Sequence, residues 1–255
     1  MGDVQLDEPV CAFYRRALDI LQTAGVPVQV GGAFALLHYT GISRHTKDFD
    51  IFLRKEDVAR ALDILSEAGF RTELVSGAWL AKAHDGDNFV DLIFGSGNGL
   101  ATVDHWWFER AEEGTVLGLA TTLCPAEEVI FTKAFIMERD RFDGADIAHI
   151  VRARHDRLDW SHLLLRFGVH WRVLLVHLVL FGFVYPGERH LLPNWVMQDL
   201  MQRLADESAS EPLFEKLCQG PLLAKSQYVI DTEQWGYEDP RFPPWGEMTL
   251  EEAGW

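Results

Sequence analysis

Thr46-Lys47-Asp48-Phe49-Asp50-Ile51-Phe52-Leu53 is the stretch whose reading decides the fold. Apolar residues alternate around two acids, which predicts a β-strand over 46–53, and strand side chains have a period of two. Asp48 and Asp50 then share one side, and Phe49 and Ile51 the other. Two like charges on one face destabilise a fold unless something neutralises them. A divalent cation does so, and hard oxygen ligands suit Mg²⁺. The same spacing also fits a surface strand with two solvated acids, because D-x-D is a common pattern. The flanking sequence decides between the two.

Upstream, Val10, Phe13, Ala17, Leu18 and Leu21 recur at a helical period, and Gly25-Val26-Pro27 ends that helix. Val28-Gln29-Val30 reads as a short strand, followed by Gly31-Gly32 and a helix over 33–39 that stops at Gly41. Glycine lets backbone approach a phosphate closely, and a helix N-terminus offers free N–H groups and partial positive charge. An ordinary strand-to-helix turn uses the same two glycines. Downstream, 55–68 is an amphipathic helix closed by Gly69. Strands are predicted over 71–75, 79–83 and 89–94, the last two forming a hairpin across Asp85-Gly86-Asp87-Asn88. Asp91 is a third acid, set in apolar Val90-Asp91-Leu92-Ile93. If its strand lies beside the first, three carboxylates converge, enough for two Mg²⁺ ions or for one ion and a general base.

A further strand is expected over 116–122. Pro125-Ala126-Glu127-Glu128 opens a helix containing Lys133, and helices are expected over 144–154, 160–167, 170–185 and 194–207. The expected fold is therefore α+β. It comprises a small mixed β-sheet with flanking helices (1–125), an α-helical part (126–220) and an acidic, Trp- and Pro-rich tail packed on the body (221–255). Between Asp206 and Glu252 eleven acids face Lys216, Lys225 and Arg241.

The chain has 255 residues, 48% of them hydrophobic, and a formal net charge of −16. Such acidity argues against a general nucleic-acid binder, so no DNA partner is expected. Cys11, Cys124 and Cys218 show neither a disulfide framework nor zinc spacing, and a cytoplasmic setting fits. The N-terminus lacks an apolar signal core. The run 173–185 contains His177 and is too short to span a bilayer, so no membrane partner is expected. His38, His45, His84, His105 and His149 show no metal-ligand spacing and read as structural. Trp106-Trp107 and the tail residues Trp235, Trp245 and Trp255 read as packing anchors.

Val30-Gly31-Gly32-Ala33-Phe34-Ala35-Leu36 followed by Arg44-His45-Thr46-Lys47-Asp48-Phe49-Asp50-Ile51 resembles the nucleotidyltransferase superfamily of the DNA polymerase beta fold. The likeness points to its bacterial minimal branch, which includes abortive-infection toxin-like members. It is specific over 28–70 and weaker to 94. Lys133-Ala134-Phe135, Arg139 and Asp143-Gly144-Ala145-Asp146 are similar to that branch's helical K…R…D segment. The resemblance implies that Gly31 and Gly32 cradle nucleotide phosphates and that Asp48 and Asp50 bind Mg²⁺. It makes Asp91 the third acid of the metal site and the base that activates the acceptor. Lys133 would contact phosphate or nucleotide, Arg44 and Lys47 would add phosphate contacts, and Asp143 or Asp146 would support Lys133 or Arg139. Lys133 also reads as a lysine snorkelling from an apolar helix face.

The implied activity is Mg²⁺-dependent transfer of a nucleoside monophosphate from an NTP to an acceptor hydroxyl. A small molecule or protein acceptor is favoured over RNA by the charge. Two alternatives use the same residues: a non-catalytic nucleotide-binding module of a toxin–antitoxin-like pair, and a metal-dependent phosphohydrolase.

Overall fold

In the computed structural model, which describes residues 7–44, 46–209, 211 and 214–253, the chain forms two units. One comprises the chain up to Val129 and the segment from Met248, and the other is Ile130–Glu247. His45 and Trp255 lie outside the described residues.

In the first unit, α1 (Glu8–Thr23) has Pro9 in its opening turn, where a missing N–H is tolerated, and buries Phe13, Tyr14, Ala17, Leu18 and Leu21. It is followed by β1 (Gln29–Val30), α2 (Gly32–Thr40), β2 (Asp50–Phe52) and α3 (Val58–Glu67). Then come β3 (Arg71–Ser76), β4 (Leu80–Asp85), β5 (Asn88–Ile93), α4 (His105–Glu109), β6 (Glu112–Val116) and β7 (Leu119–Leu123). The strands make one seven-stranded mixed sheet in the order β3-β4-β5-β2-β1-β7-β6. Central β2 runs antiparallel to β1 and parallel to β5. Phe49, Ile51 and Leu53 are fully buried. The Tyr14 ring stacks on Phe49 at 4.8 Å between centroids, and Phe34 meets Phe49 edge-on at 5.1 Å. This packing fixes which side of β2 faces α1, and so fixes the side left to Asp50.

Two expectations need correction here. The strand expected over 46–53 is only Asp50–Phe52, and Asp48 precedes it. The Thr46 hydroxyl donates to the Asp48 carbonyl at 3.0 Å and accepts from the Asp48 N–H at 3.2 Å, while the Tyr14 hydroxyl donates to the Lys47 carbonyl at 3.0 Å. These local bonds take backbone groups that a longer ladder would need. The strand expected over 116–122 is a hairpin of β6 and β7. Its turn residues Leu117 and Gly118 have φ of 50° and 84°, the paired positive values that a tight two-residue turn requires.

α5 (Ala126–Ala134) leads into the second unit, which holds α6 (Gly144–Arg154), α7 (Trp160–Phe167), α8 (Trp171–Val184), α9 (Asn194–Ser208), α10 (Pro221–Ala224) and α11 (Val229–Glu233). α8 packs against α6, α7 and α9. Phe131 meets Phe135 and Phe167 edge-on at 5.3 and 5.2 Å. His177 is buried and shares a 2.9 Å hydrogen bond with the Ala134 carbonyl, and burial depresses its pKa. The helical stretch Trp160–Val184 is 25 residues, longer than the run singled out in the sequence, and by length and composition could cross a membrane. Gly168, with φ 45°, divides it into α7 and α8.

In the tail, Arg241 forms a buried two-pronged pair with Asp239, at 3.0 Å from Nε to Oδ1 and 2.6 Å from Nη2 to Oδ2. Trp107 is buried against Phe52, as a packing anchor should be. Trp235 and Trp245, however, are 58% and 41% exposed, so neither is a buried anchor. Trp245 keeps its indole N–H on the Glu238 carboxylate at the surface.

Candidate active site

The chain leaves β1 at Val30 and enters α2 at once. The Gly31 N–H donates to the Asp50 carbonyl at 3.0 Å, and Gly32 adopts φ 53°. A Cβ on Gly32 would stand 1.8 Å from Asp50 Oδ2, and a Cβ on Gly31 would stand 2.3 Å from the Phe52 ring and 3.2 Å from Cys124 Sγ. Neither position admits a side chain. The first turn of α2 therefore lies directly against the Asp50 carboxylate. The leading N–H groups of a helix have no intrahelical partner, and such an end suits phosphate oxygens.

Asp50 and Asp91 are register partners across parallel β2 and β5, and the Asp91 N–H donates to the Phe49 carbonyl at 2.9 Å. Their carboxylates thus sit on adjacent strands of one sheet face. Asp48 is exposed at the entrance to β2. Burial pushes the Asp91 carboxyl above the ordinary carboxylate range, the Lys82 ammonium pulls it back, and Asp48 pushes it up again. The Tyr14 hydroxyl registers the same neighbourhood. Burial first, then Asp48, Asp50 and Asp91, push its pKa up to about 12.

The three acids share one end of β2, yet among the described residues no group of three or more His, Cys, Asp or Glu side chains is arranged to hold a metal ion. Asp91 turns instead to Lys82, with Oδ1 at 2.7 Å from Nζ. Asp50 lies against the first turn of α2, and Asp48 is exposed just ahead of β2. Two such carboxylates could hold Mg²⁺, which keeps most of its shell as water and substrate phosphate and takes one or two carboxylates from protein.

Arg44 and Lys47 are exposed on the segment joining α2 to β2, where Tyr14 pins the Lys47 carbonyl. Lys133 belongs to the second unit. Its ammonium stands 2.7 Å from Asp143 and 2.8 Å from Asp146, so both acids support it. Asp143 also accepts two hydrogen bonds from Arg141, at 3.3 and 3.2 Å, the place the sequence reading gave to Arg139. Burial alone would raise the Asp143 carboxyl, but Arg141 and Lys133 together hold it below the ordinary range.

Sequence reasoning passed over Tyr14 and Lys82. Lys82 had a signal. With Asp85 and Asn88 paired at the base of the turn, the hairpin register puts Lys82 opposite Asp91. Tyr14 had none, since its partners Phe49 and the Lys47 carbonyl lie more than thirty residues away in the chain.

Residues 10–174 match the family described as uncharacterised nucleotidyltransferase, and the chain belongs to that family. No curated protein matches the sequence. Among solved structures, the chain is similar to the antibiotic-resistance factor ANT(2'')-Ia, at 18% identity over 68% of this chain and 98% of that one, with a TM-score of 0.48. It is also similar to an antigenic nucleotidyltransferase-like protein from Paracoccidioides brasiliensis, at 15% identity over 74% and 94% of the two chains, with a TM-score of 0.46. A third is the lincosamide antibiotic adenylyltransferase LnuA bound to lincomycin, at 15% identity over 57% and 96%, with a TM-score of 0.40.

Proposed function

We propose that this nucleotidyltransferase transfers a nucleoside monophosphate from an NTP to a hydroxyl of an acceptor, with Mg²⁺ as its metal. The observation that carries the reading is the contact of Gly32 with Asp50, which puts a phosphate-receiving helix end and a carboxylate in one place with Asp91 on the next strand. In this reading the leading N–H groups of α2 bind the triphosphate, and Arg44 and Lys47 add positive charge from the α2–β2 segment. In the second unit, Asp143 and Asp146 hold Lys133. Asp48 and Asp50 would hold the Mg²⁺. When bound, the ion neutralises phosphate charge and stabilises the attacking and leaving oxygens.

Asp91 takes the proton of the acceptor hydroxyl. The acceptor oxygen then bonds to the α-phosphorus, the bond from that phosphorus to the bridging oxygen breaks, and pyrophosphate leaves. Positioning and charge do most of the work in such a step. The net charge of −16 favours a small molecule or a protein over RNA as acceptor.

The test follows the label. The protein is incubated with Mg²⁺, a panel of hydroxylated acceptors, and NTPs carrying label at the α or the γ phosphate. The reading expects α-label on an acceptor and γ-label in pyrophosphate. Release of γ-label as orthophosphate without any acceptor would instead mark a hydrolase.

A further inference from the structure

The sheet carries a row of charge of which the proposed reaction uses only Asp50 and Asp91. Register places Asp50 on β2 beside Asp91 on β5, Asp91 beside Lys82 on β4, and Lys82 beside Glu73 on β3. Cross-strand partners share a face, so Lys82 is the one cation in a line of acids. Its position is well defined. Nζ lies 2.7 Å from Asp91 Oδ1 and 3.9 Å from the centre of the Phe89 ring, and the Lys82 and Asp91 side chains are only 23% and 14% exposed. An ammonium caught between a carboxylate and an aromatic face on a paired strand has little freedom to leave. Nucleotidyl transfer on three carboxylates could use Asp91 as a ligand of a second ion or as a base.

We propose that Lys82 is the resident counter-ion of Asp91. It fills the cationic position beside the third carboxylate, so the nucleotide-free chain takes one divalent ion, on Asp48 and Asp50, and Asp91 is kept as an acceptor-side group. This rests on the metal reading of Asp48 and Asp50. Two contacts support it: the ion pair itself, and the Phe89 ring that holds the ammonium on its other side. A positive charge at this distance repels an incoming cation and satisfies the carboxylate that would attract it.

The test is Mn²⁺ titration of the full chain without nucleotide, followed by electron paramagnetic resonance. It compares wild type, Lys82→Met, Lys82→Arg, Asp91→Asn and Asp50→Asn. Wild type should bind one ion, Asp50→Asn should lose it, and Asp91→Asn should keep it. Lys82→Met should gain a second ion or bind at least about tenfold more tightly, while Lys82→Arg should behave as wild type. Unchanged binding in a folded Lys82→Met, or a loss in Asp91→Asn as large as in Asp50→Asn, overturns the role of Lys82 and leaves the metal pair standing. The Asp91→Asn arm decides the matter even if Lys82→Met does not fold. Binding indifferent to Asp50→Asn, or no binding in any variant, overturns both readings.

Discussion

Gly32 is where backbone geometry and chemistry constrain each other most closely. Its φ of 53° is costly for any residue with a Cβ, and a Cβ there would overlap the Asp50 carboxylate. Gly32→Ala is therefore expected to lower stability by about 1–2 kcal/mol from the left-handed backbone alone. Its effect on transfer should be far larger than that stability loss explains, because Asp50 must move. Thermal unfolding and label transfer on the same preparation separate the two effects. A variant that unfolds earlier yet transfers at the wild-type rate would show that the glycine serves only the turn. At this scale the acids and glycines were legible in the sequence, since D-x-D and Gly-Gly are rare enough in combination to stand out. Lys82 and Tyr14 were not, because their importance comes from what stands opposite them. Lys82 matters through cross-strand register and Tyr14 through a helix that folds back over Phe49.

Elements behaved according to how local their causes are. α6 and α7 span 144–154 and 160–167 as the apolar period predicts, because the helical pattern lies within each segment. The β6–β7 hairpin hides in the sequence as one strand because its turn is made by Leu117 and Gly118, and leucine carries no turn signal. Leu117 therefore sits at φ 50° against its preference. Leu117→Asn is expected to stabilise the protein by about 1 kcal/mol, read as a higher denaturant midpoint. A lower midpoint would mean that the leucine side chain contributes more than its backbone costs. The Lys133 cluster is an element-scale device in the second unit. Asp143 has a depressed pKa in the folded chain, so its stabilising contribution is present above the unfolded carboxylate value and is lost as pH falls through the folded one. Asp143→Asn should cost about 1–3 kcal/mol at neutral pH, and that difference should shrink in acid. Urea unfolding at both pH values checks this, and a deficit that persists in acid would assign the loss to packing rather than charge.

At the scale of the whole molecule, the division at Val129 separates the sheet that carries Asp48, Asp50 and Asp91 from the helices that carry Lys133. Composition spoke to this scale only through charge. A chain at −16 should show no binding to RNA or DNA oligonucleotides in a gel-shift assay at physiological salt. Tight, salt-sensitive binding would point to a basic surface that the totals conceal and would reopen RNA as the acceptor. The central claim is that Asp48 and Asp50 hold the ion that seats a nucleotide's phosphates on the first turn of α2. Calorimetric titration with a non-hydrolysable NTP, with and without Mg²⁺, tests it most directly on wild type and Asp50→Asn. The account predicts Mg²⁺-dependent binding by wild type, weakened by about a hundredfold or more in Asp50→Asn, as expected when one partner of a charge-assisted site is removed. Equal, Mg²⁺-dependent binding by both proteins would contradict it.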